Sequence, residues 1–130
     1  MENTNRVMQS YGRCCASPSF FNDFYTTFLA SSPAVRVKFS QSDMEAQKHL
    51  LRAGILNLVL FARGMPDTKL RALGKTHSRE GFDIHPKLYD FWLESLLLTV
   101  RQHDSKLDQQ DLLAWSEVLG KGIDIIKSQY

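Results

Sequence analysis

Several features that would settle function quickly are scarce or missing here. Cysteine is limited to the adjacent pair Cys14 and Cys15. Neighbouring cysteines rarely reach good disulfide geometry without strain, and no further Cys or nearby His completes a metal set. A disulfide framework is therefore not expected, and the pair reads as two small semi-buried thiols rather than a redox or metal site. Charge of one sign does not accumulate: 16 Lys and Arg are interspersed with 14 Asp and Glu, a formal net charge of +2. Nothing marks a surface for nucleic acid or an anionic membrane. Long apolar runs are missing as well. Ile55-Leu56 and Leu58 to Ala62 are interrupted by Asn57 and closed by Arg63, too short to span a bilayer. The opening MENTNRVMQSYGR lacks the apolar core of a signal peptide, and a cytoplasmic protein is expected. Strand alternation, internal repeats and low-complexity segments are also absent.

What is present is helical periodicity. The chain has 130 residues, 43% of them hydrophobic, so the expectation is one all-α domain over 1–130, large enough for a core or for a core built around a cofactor. A short first helix is expected over 6–15. Ser17-Pro18 has the form of a capping hydroxyl before a first-turn proline. Beyond it Phe21, Phe24, Tyr25, Phe28 and Leu29 follow one buried helical face. Tyr25 is thus inside, and a buried phenol needs a partner, usually a backbone carbonyl.

Ser32-Pro33 repeats the cap-and-proline signal and opens a turn of helix reaching Phe39. Ser42 with Glu45 fits a capping box for a helix to about Arg63. Met44, Leu51, Ile55, Leu58, Val59 and Ala62 form its apolar stripe, in which Gln47 is an unexpected amide; Lys48 falls there too. His49 lies nearly opposite Leu51 and is expected at the surface.

Gly64 to Asp67 break the chain. In the run that follows, Leu70, Leu73 and His77 share one helical face, so a histidine stands where a leucine is expected. It reads either as a core histidine with satisfied ring nitrogens or as a ligand. Gly81 is the expected stop, and His85-Pro86 the next start. The helix beyond Pro86 is apolar on most sides and belongs in the middle of the fold, ending at His103-Asp104, where the helix dipole favours a histidine. Asp108 caps a last helix whose apolar side holds Leu112, Trp115, Val118, Leu119, Ile123 and Ile126. In it Gly120 and Gly122 allow close approach of a backbone or a flat ligand.

Three pieces, in order, resemble the globin family from about Phe20 onward. FYTTFLASSPAVRVKF looks like the second and third helices of bacterial haemoglobins and flavohaemoglobins and ends in Phe39, matching the phenylalanine that packs on haem. DMEAQKHLL resembles the distal helix, and THSREGFDIHPKLYDFWLESLL the proximal histidine, the corner after it and the seventh helix. The resemblance implies a globin fold with a short N-terminal helix around haem b, iron protoporphyrin IX. It assigns His77 as the iron ligand, Tyr25 and Gln47 as distal hydrogen-bond donors, and Leu51 as the apolar residue one turn later. Leu73, Ile84 and Tyr89 then belong to the pocket, and Arg79 and His85 lie within reach of a propionate. A neutral His77 would donate its second N–H to an acceptor, commonly a backbone carbonyl of its own helix.

This sequence also departs from the family pattern. The stretch from His77 to Pro86 is two residues longer than in flavohaemoglobins, which leaves open whether Tyr89 reaches His77. Their glutamate far along the last helix has no match. Aligning Gln47 needs a small gap; without it His49 takes the distal place. The implied function is reversible O2 binding at five-coordinate iron, with NO or CO as further ligands. Two alternatives stand beside it: a nitric oxide dioxygenase served by a separate reductase, and a haem-based gas sensor.

Overall fold

The structure, a computed structural model, describes residues 2–130. Among them are seven helices: α1 (Asn3–Cys15), α2 (Phe20–Ser31), α3 (Pro33–Lys38), α4 (Met44–Ala62), α5 (Thr68–Thr76), α6 (Lys87–His103) and α7 (Gln109–Ser128). The all-α expectation holds, and no helix among these residues is long and apolar enough to cross a membrane.

Starts and stops show where local signals compete. Ser32 caps α3 by accepting from the Ala34 N–H, with Pro33 in the first turn, as the sequence implies. Asp108 and Asp111 form a reciprocal capping box at α7. At α4, however, the cap is Asp43, accepting from Glu45 and Ala46, and not Ser42. Ser17 caps nothing: α2 begins at Phe20, and the Ser17 hydroxyl lies 2.6 Å from His103 Nδ1. His103, expected only to favour a helix end, also meets Asp23 through Nε2 at 2.7 Å. It thereby ties the end of α6 to α2 and the turn before it. Helix α5 stops at Thr76, with His77 as its C-cap, before Gly81 is reached.

Helix α7 packs against α1, α4 and α5, while α2 lies on α6 and carries α3. The core between them is rich in aromatic rings: Phe20, Phe21, Phe24, Tyr25, Phe28 and Trp115 are all buried, beside Ile55, Leu96 and Leu119. Periodicity identified the buried faces of α2 and α7 correctly. Helix α6 is less enclosed than its composition implies, since Leu98 is exposed. The two late glycines differ. A Cβ at Gly122 would overlap the Leu58 side chain of α4, so that glycine sets the α4–α7 approach, whereas Gly120 has open space around it.

One polar network runs through this apolar interior. Asp104, 2% exposed, accepts from Ser10 Oγ at 2.6 Å and from Arg13 Nε and Nη2 at 2.5 and 2.9 Å. Ser10 in turn accepts from Trp115 Nε1 at 2.9 Å, and Arg13 and Arg6 also face Asp111. The Asp104 carboxylate thus joins α1 to the end of α6, and Ser10, Arg13 and Arg6 carry the network on to α7. Burial alone would raise the Asp104 pKa, but hydrogen bonds from Arg13, Ser10 and the Lys106 N–H outweigh it and hold the carboxyl below its ordinary value.

Asp104→Asn leaves Arg13 facing a neutral amide in a buried place and should destabilise the fold by about 2–4 kcal/mol in urea denaturation at pH 7. A carboxyl whose folded pKa is depressed contributes fully above its unfolded value near pH 4 and loses that contribution as pH falls through the folded pKa. The difference between wild type and variant should therefore shrink below about pH 4. A constant gap down to pH 2 would place the stabilisation outside ionisation.

Candidate cofactor site around His77

His77 is set where α5 ends and a tight corner begins. Its own N–H closes the helix on the Leu73 carbonyl at 3.0 Å, and its carbonyl accepts from Ile84 at 2.8 Å. The imidazole is half-buried, and that burial lowers its pKa from the ordinary 6.5, so the ring is neutral at pH 7. Nδ1 lies 2.9 Å from the Tyr89 hydroxyl, with the two rings stacked at 6.2 Å. Burial pushes the Tyr89 phenol up to about 12, so it stays protonated. The partner of Nδ1 is therefore this phenol and not the backbone carbonyl expected from the resemblance, and the two additional corner residues do not carry Tyr89 out of reach. Nε2 makes no hydrogen bond among the described residues, and in the tautomer that carries its proton on Nδ1, directed at the Tyr89 oxygen, the Nε2 lone pair is available to a metal.

The apolar surroundings are uneven. On α5 the buried positions are Leu70 and Gly74, while Leu73, expected on the buried face with His77, is 36% exposed. Gly74 is buried because α7 comes so close that a Cβ there would lie 2.7 Å from Gln129 Cγ and 2.8 Å from the Ile126 carbonyl. Phe82, which the sequence reading passed over, stands edge-on to the His77 ring at 6.4 Å and is 66% exposed. It follows Gly81 in a non-helical corner, so no periodicity could have singled it out. Ile84 packs against the core.

On the opposite side, Tyr25 is buried and its hydroxyl donates to the Gln47 backbone carbonyl at 2.8 Å. The two residues are thus brought together, through the Gln47 main chain and not its amide, which makes no hydrogen bond among the described residues. Burial raises the Tyr25 pKa well above its usual value, keeping the phenol a donor. Phe39 closes on Tyr25 and Phe28 with ring centroids at 6.3 and 5.6 Å. Leu51 is buried one turn beyond Gln47, while Leu50 between them is 62% exposed and His49 is exposed, as expected.

Arg79 and His85 both turn to Tyr130. The Arg79 guanidinium lies 4.8 Å from the Tyr130 ring centroid, the His85 ring 5.8 Å from it, and the Tyr130 hydroxyl donates to Asp83 at 2.6 Å. His85 Nδ1 also accepts from the Lys87 N–H, helping to start α6.

This arrangement matches a solved structure closely. A crystal structure of a protein from Pseudomonas aeruginosa PAO1, described as structurally highly homologous to a human hemoglobin, superposes with a TM-score of 0.97 at 61% sequence identity, covering 99% of this chain and 98% of that one. The chain belongs to the globin family. No family model and no curated protein matches it. The resemblance read from Phe39, His77 and their neighbours is thus correct at the level of family.

What this globin offers a metal centre at His77 is one imidazole nitrogen without a partner among the described residues. Among the described residues no three His, Cys, Asp or Glu side chains gather to hold a bare ion. A single free imidazole nitrogen beside exposed apolar side chains fits a metal that brings its other ligands in a flat macrocycle.

Tyr89→Phe removes the partner of Nδ1 and should cost the haem-free protein about 1 kcal/mol in urea denaturation. In wild type, NMR titration of His77 should give a midpoint below 6.5. A midpoint above it would mean that the ring is solvated and not held as described.

Proposed function

We propose that this globin binds haem through His77 and takes up O2 reversibly at a five-coordinate iron. The observation that carries the reading is the free Nε2 of a neutral, half-buried imidazole whose other nitrogen is already fixed by Tyr89. Exposed Phe82, edge-on to the His77 ring, and exposed Leu73, one turn before it on α5, would give a porphyrin apolar surface to rest on. A haem seated there supplies ferrous iron as the binding centre for a diatomic gas. His77 holds one side, and its hydrogen bond to Tyr89 fixes the ring plane and raises the basicity of the coordinating nitrogen.

On the distal side the chain offers two donors, the Tyr25 phenol and the Gln47 amide. Both favour a ligand that carries partial negative charge, so O2 gains more from them than CO does. Tyr25 now donates to a carbonyl, and it serves a ligand by exchanging that acceptor for another. Buried Leu51 and Phe28, with the Phe39 ring packed on Phe28, would keep the surroundings of such a ligand apolar.

Nitric oxide dioxygenation with electrons from a separate reductase is the second reading, and the Tyr89–His77 contact favours it. That contact is the one flavohaemoglobins make on the proximal side, and here it is present despite the longer corner. Sustained loss of nitric oxide when a flavin reductase and a nicotinamide donor are supplied would support the enzyme. Loss limited to one equivalent would leave O2 binding as the function.

Haem-reconstituted protein should show the ferric, ferrous and oxygenated spectra of a histidine-ligated globin. His77→Ala should lose stable haem or accept added imidazole in its place, and an unchanged spectrum would overturn the assignment. Tyr25→Phe should speed O2 dissociation about tenfold, the equivalent of one hydrogen bond of about 1.4 kcal/mol. An unchanged rate would assign the hydroxyl to holding α4.

A further inference from the structure

The corner after His77 displays a phenyl ring on a stiff frame. Gly81 N donates to Ser78 O at 2.9 Å, Phe82 N to Thr76 O at 2.9 Å, Asp83 N to Ser78 O at 2.9 Å and Ile84 N to His77 O at 2.8 Å. Asp83 takes a positive φ of 51°, which turns the chain sharply at this point. With its backbone donors so engaged, the corner does not leave Phe82 loose. It holds a large apolar ring in water, 66% exposed, with its nearest aromatic neighbour the His77 imidazole.

Helix α3 reaches across to this frame. Lys38, the last residue of α3, donates from Nζ to the Phe82 carbonyl at 3.0 Å. Among the described residues it is the one hydrogen bond joining 32–43 to the corner 77–86. Next to Lys38 on one side is Phe39, packed on Tyr25 and Phe28; on the other is Val37, 70% exposed. The lysine therefore links the Tyr25 wall to the His77 wall at an edge where apolar side chains on both sides lack cover.

We infer that Lys38 and Phe82 form a clasp that retains the prosthetic group: Phe82 lies against the porphyrin beside His77, and Lys38 pins the corner carrying it to α3. This rests on the haem reading above, and it adds two binding residues to it. An exposed, charge-assisted contact is worth little in a fixed structure. Its effect lies in opening, because release of a flat ligand through this edge requires the corner to part from α3, and the Lys38 contact must break each time.

The test is the rate of haem transfer from the ferric holoprotein to excess apomyoglobin. Lys38→Met should release haem roughly 2- to 10-fold faster and Phe82→Ser about 10-fold or more faster, while both keep a histidine-ligated spectrum. In the haem-free proteins, hydrogen exchange at 78–84 should be faster in Lys38→Met than in wild type. If wild type holds haem, release at the wild-type rate by both variants, or unchanged exchange at 78–84, overturns the clasp alone. If wild type takes up no haem, the haem reading falls and the clasp with it.

Discussion

A neutral imidazole with one nitrogen committed and the other free is the constraint around which this molecule is arranged. Burial lowers the His77 pKa and Tyr89 engages Nδ1, so the nitrogen left without a partner among the described residues is set by a neighbour twelve residues further along the chain. That choice needs α5 to stop at Thr76, since a helix continuing to Gly81 would carry the chain away from the close turn that returns Tyr89. It also needs α7 beside α5, which Gly74 permits by presenting no side chain to Gln129.

The distal wall is built by different means. Aromatic packing, not hydrogen bonding, holds Phe24, Phe28, Phe39 and Tyr25 together, with centroid separations of 4.9 to 6.3 Å. Such edge-to-face and stacked rings stabilise a surface without offering it polar groups. The Tyr25 hydroxyl is the exception. Its bond to the Gln47 carbonyl satisfies a buried phenol and places that hydroxyl at the seam between α2 and α4. The hydroxyl has a single hydrogen, so the proposed ligand-binding role for this tyrosine would exchange the Gln47 carbonyl for another acceptor.

Legibility in the sequence followed the physics of each feature. Buried faces of α2 and α7 were legible because burial imposes a period of 3.6 on residue choice. Helix starts were less so, because Ser17 and Ser42 have the chemistry of a cap but nearby residues begin the helices. What engages Ser17 is His103, far along the chain, and no local pattern encodes that. Leu73 has the right periodicity for burial, yet a helical wheel carries no information about what covers a face. Tyr89 was uncertain on a count of corner residues, and the corner takes up its length in backbone hydrogen bonds between Thr76 and Ile84. Phe82 was invisible for the same reason: outside a regular element, sequence spacing does not report direction.

The two tryptophans occupy separate regions, and this has a practical consequence. Trp115 is fully enclosed and bonded to Ser10 within the charged network of α1 and α7, whereas Trp92 stands 6.1 Å from Phe24, behind the wall that carries Tyr25. Single-tryptophan versions of the chain would give two optical channels. The emission of one would follow disruption at the ionic junction, and that of the other would follow rearrangement of the packed rings around Phe24.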